Sequence, residues 1–139
     1  MEIGSIEDGD VPAVLDLWAR RGLLHPDNDP RADIARARSA ADAMLLVGRR
    51  DGAVIATAMV GFDGHRGWVY YLAVEPNLQR AGYGKAMLEA AERWLRRRGA
   101  PKLMLMVAEA NSGVRGFYEK LGFTRSPVMT LGKRLQPRT

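Results

Sequence analysis

The chain has 139 residues, 47% of them hydrophobic, so we expect residues 1–139 to form one globular domain rather than a disordered segment. It contains no cysteine, which excludes disulfides, thiolate metal sites and a cysteine nucleophile. No apolar run approaches the roughly 20 residues that span a bilayer, and the opening Met1-Glu2-Ile3-Gly4 lacks a signal pattern, so a cytoplasmic protein is expected.

The net charge of +5 suits an anionic cofactor, nucleic acid or simply a solvated surface. In chain order, residues 1–6 read as a short strand. Asp8 or Asp10 can cap a helix that carries Val11, Val14, Leu15 and Trp18 at helical spacing and stops at Gly22. Residues 25–30 form a turn-rich loop. A second helix is predicted over about 31–41; its apolar content is mostly alanine, which predicts light anchoring.

Three strands follow as an antiparallel meander. Residues 44–47 run to an Asp51-Gly52 turn, 53–62 to a turn at Asp63-Gly64, and 68–74 complete the set. Alternation along the last strand places Trp68, Tyr70, Leu72 and Val74 on one face and Val69, Tyr71 and Ala73 on the other. Both faces are apolar, which predicts a central strand. A long helix over 82–98 should bury Ala86, Met87, Ala90, Ala91, Trp94 and Leu95, with Gly99 as its stop. Residues 103–107 read as a buried strand, 112–121 as a helix ending at Gly122, and 123–135 as one or two closing strands. The fold class is therefore α/β with a mixed sheet, because strand, crossover helix and strand over 68–107 imply a parallel pair.

The segment with the most chemistry is Val74-Glu75-Pro76-Asn77-Leu78-Gln79-Arg80-Ala81-Gly82-Tyr83-Gly84-Lys85. A strand ends, a proline-bounded turn follows, and a helix begins at glycines. A helix start leaves unpaired N–H groups and roughly half a positive charge, and glycine admits a ligand close to the backbone. That combination can hold phosphates, with Arg80 and Lys85 adding charge. A Walker loop fails here, since Gly84-Lys85 is followed by Ala86 and position 79 is not glycine. A dinucleotide fingerprint fails because Gly82-x-Gly84 is followed by Met87. An anion site and a turn that merely redirects the chain both stay open on these residues alone.

The segment resembles the GNAT superfamily of acetyl-CoA-dependent N-acetyltransferases, whose pyrophosphate loop reads [Q/R]-x-x-G-x-[G/A] after a strand ending V-x-P. Val74, Pro76, Gln79, Gly82 and Gly84 carry the match. Downstream, Asn111-Ser112-Gly113-Val114-Arg115-Gly116-Phe117-Tyr118-Glu119-Lys120-Leu121-Gly122-Phe123 is similar to the family element N-x-x-A-x-x-F-Y-x-x-x-G-F, departing at Val114, where alanine is usual. Asn28-Asp29-Pro30 and Asp63-Gly64-His65-Arg66-Gly67 also look like a small bacterial subgroup, the YpeA type. The resemblance implies a GNAT-like fold: a mostly antiparallel sheet with a splayed parallel strand pair and helices on both faces.

It further implies that backbone groups of Leu72, Ala73 and Val74 pair with pantetheine, with the Leu72 amide polarising the thioester carbonyl. Gln79, Arg80, Ala81, Gly82, Tyr83, Gly84 and Lys85 would take the pyrophosphate, and Asn111 the pantetheine arm. Tyr118 would protonate the departing CoA thiolate; Phe117 beside it is the better core candidate. The strand glutamate that serves histone-acetylating relatives as general base aligns with Trp68, so it is absent. Glu109 is the candidate in its place, against a reading as a solvated loop carboxylate. Asn28, Asp29 and His65 are candidate contacts to the acceptor, against plain turn chemistry.

No metal is expected, because two isolated histidines lack ligand spacing. Arg96-Arg97-Arg98 suits a helix C-terminus better than nucleic acid. The expected partner is a small-molecule or peptide amine, with a homodimer plausible from the resemblance and neither nucleic acid nor membrane implied. The alternative to an enzyme is an acyl-CoA-binding sensor that has lost catalysis.

Overall fold

The structure is a computed structural model that describes residues 1–108 and 112–137. The chain divides into two compact units, Met1–Leu105 and Met106–Thr139. The first unit carries strand β1 (Glu2–Ser5), helices α1 (Val11–Arg20) and α2 (Pro30–Ser39), strands β2 (Ala43–Arg50), β3 (Ala53–Phe62) and β4 (Gly67–Val74), helix α3 (Tyr83–Arg97) and strand β5 (Leu103–Met104). The five strands lie in the order β1-β2-β3-β4-β5. The first four are antiparallel; β4 and β5 are parallel through Gly67↔Leu103 and Trp68↔Met104. The mixed α/β sheet expected from the element order is thus the one observed.

Local chemistry explains most boundaries. Glu7 and Asp10 form a reciprocal capping box ahead of α1. The Asp29 side chain accepts from Ala32 N at 3.1 Å and caps α2, with Pro30 at its first position. Asp51 and Gly52 have φ of 51° and 81°, the positive pair that a two-residue type I′ hairpin requires.

Each sheet face is covered. Val14, Leu17, Trp18, Ile34 and Ala37 of α1 and α2 pack with Ile6, Leu45, Val47 and Ala73 in one cluster. On the opposite face α3 buries Met87, Leu88, Ala90, Ala91, Trp94 and Leu95. Met87 and Leu88 are fully buried, worth about 1.5–3 kcal/mol each relative to exposure. The helix lies so close to β4 that a Cβ on Gly67 would stand 2.5 Å from the Leu95 methyl carbons.

Four expectations for the first unit need correction. The alternation along β4 breaks. Gly67 faces α3, so Val69 does too, yet Tyr71 and Ala73 pack on the α1/α2 side. The cause is a bulge. The β3–β4 register shifts between Thr57 and Met59, and Tyr71 takes φ of 52°. Second, α2 is anchored rather than light: Ile34 and Ala37 are 3% and 6% exposed, so one isoleucine does what alanine spacing does not reveal. Third, the strand expected over 103–107 is assigned only at Leu103–Met104, which is partly buried. Fourth, α3 stripes through Leu88, with Ala86 only partly buried.

The second unit holds a 3-10 turn, Ser112–Val114, and helix α4 (Arg115–Lys120), which stops before Gly122 at φ of 92°. The helix expected over 112–121 is thus split. No strand occurs among the described residues of 123–135. Val128, Met129, Leu131 and Leu135 are 74–90% exposed. Alternation in sequence yields a strand only where a neighbouring strand completes its hydrogen bonds.

Candidate functional site

Beyond the last β4–β5 pair, Trp68↔Met104, strand β4 continues through Leu72, Ala73 and Val74. On its other side Ala73 pairs with Thr57 and Val74 with Ala56. The chain then leaves the sheet. Glu75 N donates to Ile55 O at 2.8 Å, Pro76–Leu78 makes one 3-10 turn, and Gln79 is extended. Arg80 and Gly82 both take left-handed backbone, at φ of 66° and 83°. Gly82 is the N-cap of α3 and offers no side chain to it, so the first amides of the helix have no side-chain acceptor at the cap. Arg80, Ala81 and Gly82 are exposed. Lys85 stands in the first turn, 4.0 Å from Glu89. A 15-residue helix thus presents an uncapped N-terminus with basic neighbours to solvent, an arrangement that favours negative charge.

The end of α1 grips both flanks of this turn. The Arg20 guanidinium pairs bidentately with Glu75, Nη2 donating to Oε2 at 2.9 Å, while its Nε donates to Asp16 at 2.9 Å. The Arg20 hydrogen bond holds the Glu75 carboxyl below the ordinary carboxylate range. Next in sequence, Arg21 reaches Gln79; with its carbonyl oxygen turned to that guanidinium, Gln79 accepts from Nη1 and Nη2 at 3.0 and 2.6 Å. The first residue of the glycine motif is therefore held through its side chain by α1.

The bulge that precedes this end of β4 has its own support. The Trp18 and Tyr71 rings stack with centroids 3.7 Å apart at 9°. Trp18 Nε1 donates to Thr57 Oγ1 at 2.9 Å, and Thr57 Oγ1 donates onward to the Tyr71 carbonyl at 2.7 Å. The Tyr71 hydroxyl donates to Asp33 Oδ2 at 2.6 Å. Burial, then that hydrogen bond, pushes the Tyr71 phenol well above its ordinary value. Three elements thus converge on one left-handed residue, immediately before Leu72. Sequence reasoning missed Trp18, Asp33, Thr57 and Tyr71 in this role. A lone threonine inside Ile55-Ala56-Thr57-Ala58 was the one available signal.

Other expected site residues fall elsewhere. Asp29 is engaged as the α2 cap, and Asn28 N donates to His25 O at 2.9 Å within the preceding turn. His65 is exposed in the β3–β4 hairpin, its N–H donating to Asp63 Oδ1 at 2.8 Å. In the second unit, Tyr118 on α4 makes edge contacts with Phe117 (5.1 Å, 68°) and Phe123 (5.7 Å, 74°), and burial pushes its phenol up. Phe117 is 38% exposed, so Tyr118 rather than Phe117 takes the more buried position of the pair, against expectation. Glu109 and Asn111 lie outside the described residues. Among the described residues no group of three or more metal-ligating side chains gathers, and no helix is long and apolar enough to cross a membrane.

The sequence pattern of the acetyltransferase (GNAT) family matches residues 12–123, from α1 through the Tyr118 element to Phe123. The chain belongs to that family, and by class it is an acetyl-CoA-dependent N-acetyltransferase. The match is at the level of the family, not of the YpeA-type subgroup. Solved structures share the fold. An aminoglycoside 6'-N-acetyltransferase, AAC(6')-Ig, from Acinetobacter haemolyticus superposes with a TM-score of 0.78 at 19% identity, covering 98% of this chain and 100% of its own. AAC(6')-Iy in complex with a bisubstrate analog, CoA-S-monomethyl-acetylneamine, gives 0.82 at 19% identity, covering 96% and 97%. Glucosamine-6-phosphate N-acetyltransferase from Arabidopsis thaliana gives 0.78 at 18% identity, covering 97% and 98%.

Proposed function

We propose that residues 1–139 act as one transferase domain that moves the acetyl group of acetyl-CoA to a primary amine by direct attack in a ternary complex. The observation that carries this reading is the uncapped N-terminus of α3 at Gly82, placed straight after the free end of β4. The donor set fits a pyrophosphate: backbone amides of Ala81 to Lys85, the exposed Arg80, and Gln79 held at the entry of the turn.

In this reading Leu72, Ala73 and Val74 pair with the pantetheine arm along β4, and Asn111 fixes it from the downstream element. The Leu72 amide receives the developing oxyanion, a role worth about 3 kcal/mol when well aligned. Acetyl-CoA supplies the activated acyl group. The amine nitrogen forms its bond to the acyl carbon as the C–S bond breaks, and Tyr118 delivers its phenolic proton to the sulfur. The high phenol value at Tyr118 keeps that proton in place until a thiolate forms. Glu109 takes the ammonium proton directly or through water before attack, and the second N–H proton, acidic once the C–N bond has formed, returns through water to the Tyr118 phenolate. Asn28, Asp29 and His65 border the acceptor, a small-molecule or peptide amine. The domain works as a cytoplasmic enzyme, alone or as a homodimer.

The test is Tyr118→Phe, followed by thiol release and by acetyl-CoA binding. Loss of a general acid lowers turnover about 10²-fold or more with binding retained. Unchanged turnover removes Tyr118 from the mechanism. Tight binding with no acceptor-dependent release from a broad amine panel favours the sensor reading instead.

A further inference from the structure

At the β3–β4 end of the first unit, Asp42, Gly61, Phe62, Asp63, Trp68 and Tyr70 line an open cleft of about 310 Å³. That is the volume of a small-ligand pocket. Gly67 faces α3, so Trp68 points to the opposite side of the sheet, and Tyr70 follows it two residues on. Their rings stand nearly parallel, 13° apart, with centroids 6.3 Å from each other. Trp68 Nε1 donates to Asp63 Oδ2 at 3.2 Å, which fixes the indole. Gly61 pairs with Trp68 across the ladder, so no side chain fills the floor beside the ring.

The charge in the cleft is negative. Asp63 accepts from the backbone N–H groups of Arg66 and His65 at 2.7 and 2.8 Å, and those bonds hold its carboxyl below the ordinary range. It is therefore ionised at neutral pH. Asp42 adds an exposed carboxylate. The nearby Arg66 guanidinium is turned to the His65 carbonyl at 3.0 Å. In a chain of net charge +5, two carboxylates beside two aromatic rings are a local reversal of sign. A cation within about 6 Å of a ring centroid is attracted by the ring quadrupole, and the carboxylates strengthen that preference.

We propose that this cleft binds a positively charged nitrogen of the acceptor, so that the substrate class is a polycationic amine, one nitrogen acetylated while a second is held between Trp68, Tyr70, Asp42 and Asp63. The proposal rests on the reading of Leu72 as the thioester site. At about 3.3 Å per residue, and with the bulge making Tyr70–Ala73 span only the two-residue rise of Met59–Thr57, Tyr70 lies roughly 3–5 Å and Trp68 roughly 10–12 Å along β4 from Leu72. That interval sets the separation of the two nitrogens. A flexible diamine or polyamine spans it, and a monoamine leaves the cleft unfilled.

The experiment compares 1,8-diaminooctane with octylamine as acceptors for the full chain, by acetyl-CoA-dependent thiol release, and measures diamine binding by calorimetry. The expected result is a kcat/KM for the diamine about tenfold or more above that for octylamine. Asp42→Asn and Gly61→Val should each bring that ratio toward one. Gly61 has room for a Cβ, whose nearest neighbours would be Asp42 O at 3.6 Å and Ala43 Cβ at 3.8 Å, and Asp42→Asn keeps the surface shape. Equal kcat/KM for both amines in the wild type, or a preference that survives both substitutions, overturns the subsite. Diamine binding that weakens in both variants, with no thiol release from any amine, would sink the transferase reading while leaving the subsite standing.

Discussion

Replacing Thr57 by valine removes one oxygen from a fully buried side chain and nearly keeps its shape. That oxygen accepts from Trp18 Nε1 and donates to the Tyr71 carbonyl. Both groups lose their partner at once. An unsatisfied buried polar group costs about 1–3 kcal/mol, and the added methyl recovers part of it, so the net loss should be about 2–4 kcal/mol. For a chain of this length each kcal/mol lowers Tm by about 3–4 °C, so the expected drop is about 6–16 °C. Urea unfolding with an unchanged m-value would show that stability, not compactness, has moved. The same variant should weaken acetyl-CoA-dependent turnover, because the left-handed Tyr71 that it supports stands immediately before Leu72. A Trp18→Phe/Thr57→Val cycle isolates the coupling; contacting groups of this kind interact by about 0.5–3 kcal/mol. A Tm within about 2 °C of wild type, or strictly additive single losses, would refute the idea that this hydroxyl ties the bulge to α1.

Two further outcomes follow from the glycine turn and its clamp. Gly82→Ala meets no atom within 4 Å but forces alanine to φ of 83°, so it should cost about 1–2 kcal/mol of stability and weaken acetyl-CoA binding about tenfold; calorimetric affinity equal to wild type would remove the helix start from the cofactor site. Glu75 has its folded value depressed by Arg20 below its ordinary value of about 4.5. Its contribution is therefore present above that pH and lost as pH falls through the folded value. The Tm difference between wild type and Glu75→Gln should shrink below about pH 4.5, and a difference constant down to acid pH would show that the clamp carries no linked proton.

Much of this protein was legible because its signals are local. The Asp51-Gly52 turn, the glycine N-cap of α3 and the long apolar stripe behind it each depend on a few adjacent residues, whereas Pro30, read as the end of the preceding loop, opens α2. Their backbone preferences act before any distant contact forms. The glycine turn was readable as a strand end, a turn and a helix start for the same reason, and the resemblance of the Asn111–Phe123 pattern to the GNAT family implied a cofactor and a reaction. The family match over residues 12–123 bears out that inference of class.

What the tertiary structure decided is what depends on register. Strict alternation could not reveal that β4 shifts against β3 at Thr57/Met59, because a bulge is a relation between two strands. Once it forms, Tyr71 moves to the α1/α2 face, and Trp18, Asp33 and Thr57 become its partners from positions 53, 38 and 14 residues away. The cleft of Trp68 and Tyr70 with Asp42 arises the same way, from strand pairing that sets Gly61 opposite Trp68. The sequence by itself determined where a strand end, a turn and a glycine-started helix follow one another, since local backbone preferences suffice for that, and the resemblance of its two motifs to the GNAT family supplied the class that the family match bears out. Only the folded chain decided that β4 bulges at Tyr71 and what surrounds that bulge, since those contacts join residues that nothing in the local sequence brings together.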